Sequence, residues 1–315
     1  MRVGVVFPGQ GSQQLGMGVD AARAYPAAAQ CFAAAKTILG YDLLNLCEQG
    51  PEEKLRETRY AQPAIFVAHY ALAKAVGDVL DPVASAGHSF GEFDSLTLAG
   101  ALTFESALAL VNQRGLAMHR AAEKAQGAMA AVLGLDAQAL GDAVAEAVAR
   151  GAGRVQLANF NAPGQIVISG DAAAVRVAGE LAMEKGAKRV IPLNVSGAWH
   201  SALMDPAREE FAPHVRAATV MLPRFTVISN VDAQPYEDVE QIKANLIRSV
   251  TDEVRWHDVA LALSALQLDL IVEFAASPVL GPMMKRVEGA PKAMTVSDAA
   301  GVEKLRALLA PASVS

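Results

Sequence analysis

The strongest constraint on the fold is the stretch Gly87-His88-Ser89-Phe90-Gly91-Glu92. It follows a short, mostly apolar run at residues 83–86 and precedes a segment of helical character. Gly-x-Ser-x-Gly between a strand and a helix is the pattern of a nucleophile elbow, where glycines permit a sharp turn. The turn exposes the serine above the next helix N-terminus, which favours a developing negative charge. We therefore predict that Ser89 is a nucleophile; the alternative is a structural serine in a tight turn.

The composition indicates a folded protein with a large core. The chain has 315 residues, of which 52% are apolar and 19% charged, enough for one large domain or two modest ones. Its net charge is −6 and no run of Lys or Arg exceeds two, which argues against nucleic acid or an anionic membrane as a partner. No stretch reaches the roughly 18 apolar residues of a membrane span, and the N-terminal run is too short for a signal peptide. We expect a cytoplasmic, monomeric protein.

The two cysteines, Cys31 and Cys47, lie in helix-like segments. Two cysteines do not make a disulfide framework, and no Cys/His spacing suggests a zinc site. We therefore expect no metal site and no cofactor.

The order of the predicted elements indicates the α/β class with two sheets. Residues 3–7 form a continuous apolar run, which suits a strand buried on both faces of a parallel sheet. Residues 126–193 show the order β-α-β-β-α-β, which is typical of a ferredoxin-like arrangement. We predict an α/β-hydrolase-like large subdomain with a parallel sheet, formed by residues 1–125 and 194–315. The ferredoxin-like small subdomain, residues 126–193, is inserted between them, because its termini lie close together.

Three helices are predicted from local composition. The Ala-rich residues 21–39 predict one helix. Gln62-Pro63 predicts a helix start with proline in the first turn, running to residue 80. Residues 278–287 predict a further helix.

Among the six histidines, His200 is the candidate base for Ser89. It lies in Asn194-Val195-Ser196-Gly197-Ala198-Trp199-His200-Ser201, an irregular stretch after a strand, where catalytic groups concentrate. The alternative is a structural loop histidine. His88 points away from the Ser89 hydroxyl and is expected to orient the turn or contact the substrate. The other four lie in helix-like segments and are expected to be structural: His69, His119, His214 and His257.

Acyl chemistry on a serine also needs two donors for the oxyanion. The backbone N–H of Phe90, which follows the nucleophile, is predicted to supply one. The N–H of Gln10 is predicted to supply the other, because Gly9 and Gly11 let that turn come close. The alternative is a phosphate-binding loop, but the stretch lacks the third glycine of a dinucleotide fingerprint and the Gly-Lys-Ser/Thr of a P-loop.

Arg114 follows an apolar helical run at residues 107–111. A buried guanidinium must find a partner. That partner is either an Asp or Glu of the protein, or a substrate carboxylate that fits its planar fork. The sequence leaves both open.

Taken together, five motifs resemble the malonyl-CoA:acyl carrier protein transacylase family over essentially the whole chain. They are Pro8-Gly9-Gln10-Gly11-Ser12-Gln13, Gly87-His88-Ser89-Phe90-Gly91-Glu92, Gln113-Arg114-Gly115, Asn159-Phe160-Asn161-Ala162-Pro163-Gly164-Gln165 and Gly197-Ala198-Trp199-His200-Ser201. The resemblance implies ping-pong transfer of a malonyl group from malonyl-CoA, through an acyl-serine intermediate, to the phosphopantetheine thiol of an acyl carrier protein.

The resemblance also implies roles for individual residues. Ser89 and His200 form a dyad, and a backbone carbonyl orients the histidine; the matching position is Ser249, where relatives usually carry Gln. Arg114 takes the malonyl carboxylate. The other residues that the resemblance places at the substrate are Gln62, His88, Asn159 and Trp199.

This sequence departs from the family pattern at three places. The departures put in question which acyl group is transferred, more than the type of reaction. Phe90 stands where Leu is usual and Trp199 where Phe is usual, and both positions flank the acyl pocket. Ala275-Ala276-Ser277 replaces a Gly-Pro-Gly turn. The alternatives are a trans-acting polyketide acyltransferase with a different acyl group, a carrier-protein acyl hydrolase or other serine hydrolase, and an idle carrier-binding homologue. Arg114 discriminates among them, because a general hydrolase has no use for a buried cation at the acyl group.

Overall fold

The structure, a computed structural model, describes residues 1–310. Residues 311–315, at the end of the predicted large subdomain, lie outside the described part. The described strands are β1 Val3–Phe7, β2 Pro82–Gly87, β3 Gly127–Leu133, β4 Val155–Ala162, β5 Gln165–Asp171, β6 Arg189–Pro192, β7 Thr226–Ile228, β8 Leu270–Phe274 and β9 Lys292–Val296.

Helices cover most of the remaining described chain. They are α1 Val19–Ala24, α2 Pro26–Leu39, α3 Leu43–Gln49, α4 Glu52–Arg56, α5 Thr58–Val76, α6 Gly91–Leu98, α7 Phe104–Lys124, α8 Ala137–Ala149, α9 Ala172–Glu184, α10 Asp205–Ala217, α11 Val239–Arg248, α12 Trp256–Ala265, α13 Leu280–Met284 and α14 Ala299–Leu309. No helix among residues 1–310 is long and apolar enough to cross a membrane.

A parallel sheet of five strands forms the centre of the larger part of the molecule. Its order is β7-β2-β1-β8-β9, and each neighbouring pair is parallel. All five residues of β1 are buried. Val5 and Phe7 belong to the core on one face and Val6 to the core on the other, because side chains alternate along a strand. The prediction of a strand buried on both faces is confirmed.

A second, antiparallel sheet is built from residues 127–192. Its order is β4-β5-β3-β6, the strand order of a ferredoxin-like unit. Helices α8 and α9 pack against it and share its separate apolar core. The α/β fold class is thereby confirmed, whereas the exact subdomain boundaries at residues 125/126 and 193/194 stay a prediction.

Three predicted helices have different bounds in the structure. Residues 21–39 are split, because Tyr25 is extended and Pro26 begins a new helix, α2. The helix predicted to start at Gln62-Pro63 begins earlier, at Thr58, and contains Pro63. Proline removes one helical hydrogen bond, and burial of almost all of α5 outweighs that loss.

The helix predicted at residues 278–287 is the short α13, Leu280–Met284. Its N-terminus is held by the buried Glu273 carboxylate. That carboxylate accepts the N–H groups of Val279 (2.8 Å), Leu280 (2.6 Å) and Gly281 (3.1 Å). A charged acceptor at this position fixes where the helix begins.

A buried polar pair, His69 on α5 and Asp94 on α6, lies within the core. His69 Nδ1 and Asp94 Oδ2 are 4.0 Å apart. Neither His69 Nδ1 nor either Asp94 oxygen has a hydrogen-bond partner within residues 1–310. Burial raises the pKa of Asp94 well above its usual value and lowers the pKa of His69 to about 3. Both side chains therefore disfavour the folded state at neutral pH.

Asp94→Ala is expected to raise the free energy of unfolding by about 1–3 kcal/mol at pH 8, because it removes a buried carboxyl without partners. The native pKa of Asp94 is raised, so its contribution to stability is lost as pH rises from the unfolded pKa towards the native one. The gain from Asp94→Ala is therefore smaller at pH 5. Urea unfolding at both pH values measures it, with Asp142→Ala on the surface of α8 as control; a less stable variant at pH 8 would contradict the prediction.

Candidate active site

Two turns emerge side by side from the carboxyl ends of β1 and β2. Phe7 and Gly87, the last residues of these strands, are paired in register. The backbones approach so closely that a Cβ on Gly87 would lie 1.9 Å from the Gly91 carbonyl carbon. A Cβ on Gly91 would lie 2.3 Å from the Phe7 carbonyl oxygen. Only glycine fits at either position, as the elbow pattern requires.

Ser89 lies at the apex of the second turn with a left-handed backbone, φ 55°. This conformation is costly for a non-glycine residue and persists only where neighbours fix it. The side chain of Asn230 does so. Its Oδ1 accepts the Ser89 N–H at 2.7 Å, and its Nδ2 donates to the Ser89 carbonyl at 3.1 Å. Sequence reasoning missed Asn230, although a polar residue directly after β7 sits at the same sheet edge.

Glu92 fixes the orientation of the Asn230 side-chain amide. Its fully buried carboxylate accepts hydrogen bonds from Asn230 Nδ2 and, at 2.5 Å, from the Tyr236 hydroxyl. Burial raises the pKa of Glu92 to about 7, against the opposing effect of these two donors. The elbow is therefore supported by a closed network of buried polar groups.

The predicted nucleophile and base are in direct contact. Ser89 Oγ and His200 Nε2 are 2.8 Å apart, and His200 Nδ1 is 3.0 Å from the carbonyl oxygen of Asp252. A carbonyl only accepts, so Nδ1 carries the proton and Nε2 is the acceptor for the serine hydroxyl. His200 also has a left-handed backbone, φ 55°. The arrangement is that of a serine activated by a base, which a third group orients.

Two backbone carbonyls interact with the His200 ring, that of Asp252 and that of the predicted Ser249. The Nδ1 hydrogen bond goes to Asp252, three residues beyond Ser249. The Ser249 carbonyl instead accepts a long hydrogen bond from Arg114 Nη2 at 3.4 Å and has only a weaker influence on the histidine. The turn after α11 brings both carbonyls towards the dyad, and sequence spacing does not distinguish them.

His200 is 3% exposed, and its environment opposes protonation. Burial is the largest cause, followed by the positive charge of Arg114 and by His88; together they lower the pKa of His200 to about 3. The hydrogen bond to the Asp252 carbonyl acts in the opposite direction. The imidazole is therefore neutral and able to accept a proton at physiological pH.

Arg114 on α7 is 1% exposed and has only neutral partners. Nη1 donates to Gln62 Oε1 at 3.0 Å, and Nη2 lies 3.5 Å from Ser89 Oγ. Its Nε has no partner within the described chain. Burial lowers the pKa of the guanidinium to about 10, which leaves it protonated at neutral pH. The buried Glu92 carboxylate acts on the guanidinium through space and raises its pKa, against the effect of burial. Within residues 1–310 no carboxylate hydrogen-bonds to Arg114, which favours the second of the two predicted explanations, a substrate anion.

His88 supports the turn from the side opposite Ser89. Its Nε2 is 2.9 Å from Asn161 Oδ1 on β4, and its ring lies 5.8 Å from that of Trp256. Burial lowers the pKa of His88, against the effect of Asn161. Asn161, which sequence reasoning did not single out, links the elbow to the antiparallel sheet.

One cavity of about 240 Å³ brings the predicted site together. It is lined by all the predicted site residues except Ser249, namely Gln10, Gln62, His88, Ser89, Phe90, Arg114, Asn159, Trp199 and His200. Within residues 1–310, the backbone N–H groups of Gln10 and Phe90 donate no hydrogen bond. Among the same residues, no group of three or more His, Cys, Asp or Glu is placed to hold a metal ion.

A serine, a histidine and a buried arginine thus meet in one cavity, an arrangement that suits an enzyme of acyl transfer. The chain belongs to the acyl transferase domain family, which residues 5–306 match.

Named relatives cover almost the whole chain. A malonyl CoA-acyl carrier protein transacylase of Haemophilus influenzae is 39% identical over 308 residues, 97% of this chain and 98% of the relative. That of Bacillus subtilis is 41% identical over 303 residues, 96% of this chain and 95% of the relative. A solved complex of a type II polyketide-synthase acyl-carrier protein with its malonyl-transacylase has a TM-score of 0.92 at 38% identity. It covers 98% of this chain and 100% of that one.

Proposed function

We propose that this enzyme transfers a malonyl group from malonyl-CoA to the phosphopantetheine thiol of an acyl carrier protein. The relatives named for this activity support the proposal, as does the solved complex with a carrier protein. Donor and acceptor react in turn with the same serine. One chain supplies both side chains of the dyad, the two backbone donors and Arg114, which supports a monomeric enzyme; the cytoplasmic location stays a prediction.

In the first half-reaction, Ser89 Oγ attacks the thioester carbonyl while His200 Nε2 takes its proton. The negative charge that develops on the carbonyl oxygen is stabilised by the N–H groups of Gln10 and Phe90. Collapse of the intermediate breaks the carbon–sulfur bond, and His200 returns the proton to the departing CoA thiolate. The product is malonyl-Ser89.

In the second half-reaction, the carrier-protein thiol gives its proton to His200 and attacks the ester carbonyl. The same two N–H groups stabilise the second intermediate. His200 then protonates the leaving Ser89 oxygen, which restores the free enzyme.

The position of Arg114 is the observation that favours malonyl as the transferred acyl group. Its Nη2 lies 3.5 Å from Ser89 Oγ and its partners are neutral oxygens. In a malonyl group, one methylene separates the carboxylate from the reacting carbonyl. A cation beside the nucleophile therefore suits this short diacid, whereas an acetyl group offers it no partner.

Arg114→Ala is expected to slow acylation by malonyl-CoA roughly 30- to several-thousand-fold, because losing one partner of a buried charge-assisted contact costs about 2–5 kcal/mol. Acylation by acetyl-CoA should be unchanged or faster. Arg114→Lys should recover only part of the malonyl rate, because lysine lacks the planar fork. Intact-mass measurement of the acyl-enzyme over time gives both rates.

Arg120→Ala is the matched control, since Arg120 lies on the same helix and pairs with Glu210 at the surface. It should leave the malonyl-to-acetyl ratio unchanged. If Arg114→Ala slowed both thioesters equally and lowered the melting temperature, Arg114 would be a structural residue.

The same assay separates the competing functions. A hydrolase would lose the malonyl adduct to water at a rate that carrier protein does not change, and an idle homologue would form no adduct. A trans-acting polyketide acyltransferase with another extender would take methylmalonyl-CoA or a further thioester in preference to malonyl-CoA.

A further inference from the structure

The loop that orients the base is attached to the antiparallel sheet. Strand β4 is an edge strand, and Val254 forms a single parallel bridge with its residue Asn159. Val254 N–H donates to the Ala158 carbonyl and Phe160 N–H to the Val254 carbonyl, both at 2.8 Å. The Asp252 carbonyl, which accepts the His200 Nδ1 proton, therefore lies on a segment whose position depends on β4.

One side chain of β4, Gln156, hydrogen-bonds to both segments that carry the partners of the His200–Asp252 hydrogen bond. Its Nε2 donates to the carbonyl of Thr251, the residue before Asp252, at 3.3 Å. Its Oε1 accepts the N–H of Ala202, two residues after His200, at 3.1 Å. A single amide thus ties the segment that carries the acceptor carbonyl to the segment that carries the imidazole.

We propose that Gln156 is a positioning residue for the Ser89–His200 dyad. The left-handed backbone of His200 needs neighbours that fix it, and the base acts only while its Nδ1 proton points at a carbonyl. Gln156 holds the two segments at the spacing at which that hydrogen bond forms, and leaves Nε2 directed at Ser89 Oγ. The inference rests on the proposed role of His200 as the base and adds a role for the antiparallel sheet in the chemical step.

Gln156→Met tests the proposal, because methionine has a similar length and makes neither hydrogen bond. The acylation rate constant with malonyl-CoA should fall roughly 10- to 100-fold, since small misplacements of a reacting group cost up to this much. The KM for malonyl-CoA should change little, because Gln156 does not line the cavity. Gln138→Met, which removes a surface glutamine of α8 bonded to Asp142, is the matched control and should keep the normal rate.

A double-mutant cycle distinguishes positioning from general damage. In a His200→Ala background, Gln156→Met should cause no further loss, because the group that it positions is gone. An unchanged rate for Gln156→Met alone, or equal losses in both backgrounds, would overturn the proposal. A normal rate for His200→Ala alone would instead overturn the base assignment. If Gln156→Met does not fold, Gln156→Leu replaces it with the same expectations, since leucine also makes neither hydrogen bond.

Discussion

Ser89→Ala is expected to abolish acyl-enzyme formation and transfer to carrier protein. Alanine adopts the φ of 55° at the same cost as serine, and the Asn230 contacts go to the backbone of residue 89. The turn should therefore remain folded with an unchanged melting temperature. Intact mass after incubation with malonyl-CoA measures the adduct.

Ser264→Ala provides the control for Ser89→Ala. This serine on α12 donates to the Ala260 carbonyl and lies away from the cavity, so the variant should still take one malonyl group. A malonyl adduct on Ser89→Ala would show that another residue is the nucleophile.

His200→Ala is expected to slow acylation roughly 10²- to 10⁴-fold, the usual contribution of a positioned general base. With a native pKa of about 3, the wild-type imidazole stays neutral between pH 5 and pH 8, so the wild-type rate should show no imidazole limb there. Intact-mass measurements on samples quenched at set times, made between pH 5 and pH 8, test both statements. His214→Ala, on the exposed side of α10, should behave as wild type; a normal rate for His200→Ala would assign the base elsewhere.

His200→Ala should also change how the free energy of unfolding depends on pH. Because the native pKa of His200 lies below its unfolded value near 6.5, the unfolded chain binds a proton that the folded chain does not. The contribution of His200 to wild-type stability therefore falls as the pH drops from about 6.5 towards 3. His200→Ala should lose less stability over the acidic part of this window.

Much of the fold and of the site could be predicted from local sequence. The elbow glycines and the apolar run of β1 determine backbone conformation and burial by themselves, so the parallel sheet and the place of Ser89 follow from a few residues. His200 could be singled out because it lies in an irregular stretch after a strand, and Arg114 because a charged side chain follows an apolar helical run. Their roles in the reaction stay proposals until the variants are measured.

The remaining features depend on contacts between distant segments. Every residue has a carbonyl, so residue type gives no signal for Asp252 over Ser249. Asn230 acts on Ser89 through its amide only because β7 lies beside β2. The start of α5 ahead of Pro63 shows the same limit, since tertiary burial outweighs a local helix-breaking preference.

The size of the cavity around Ser89 has a consequence for how the two thioesters use the enzyme. At about 240 Å³ it lies below the usual range of about 300–1,000 Å³ for ligand sites, so it holds one reacting thioester end at a time. Malonyl-CoA therefore reacts with the free enzyme and the carrier protein with malonyl-Ser89, and unloaded carrier protein in excess would slow the first step by occupying the free enzyme. The rate of transfer then depends on the ratio of loaded donor to unloaded acceptor as well as on the amount of each.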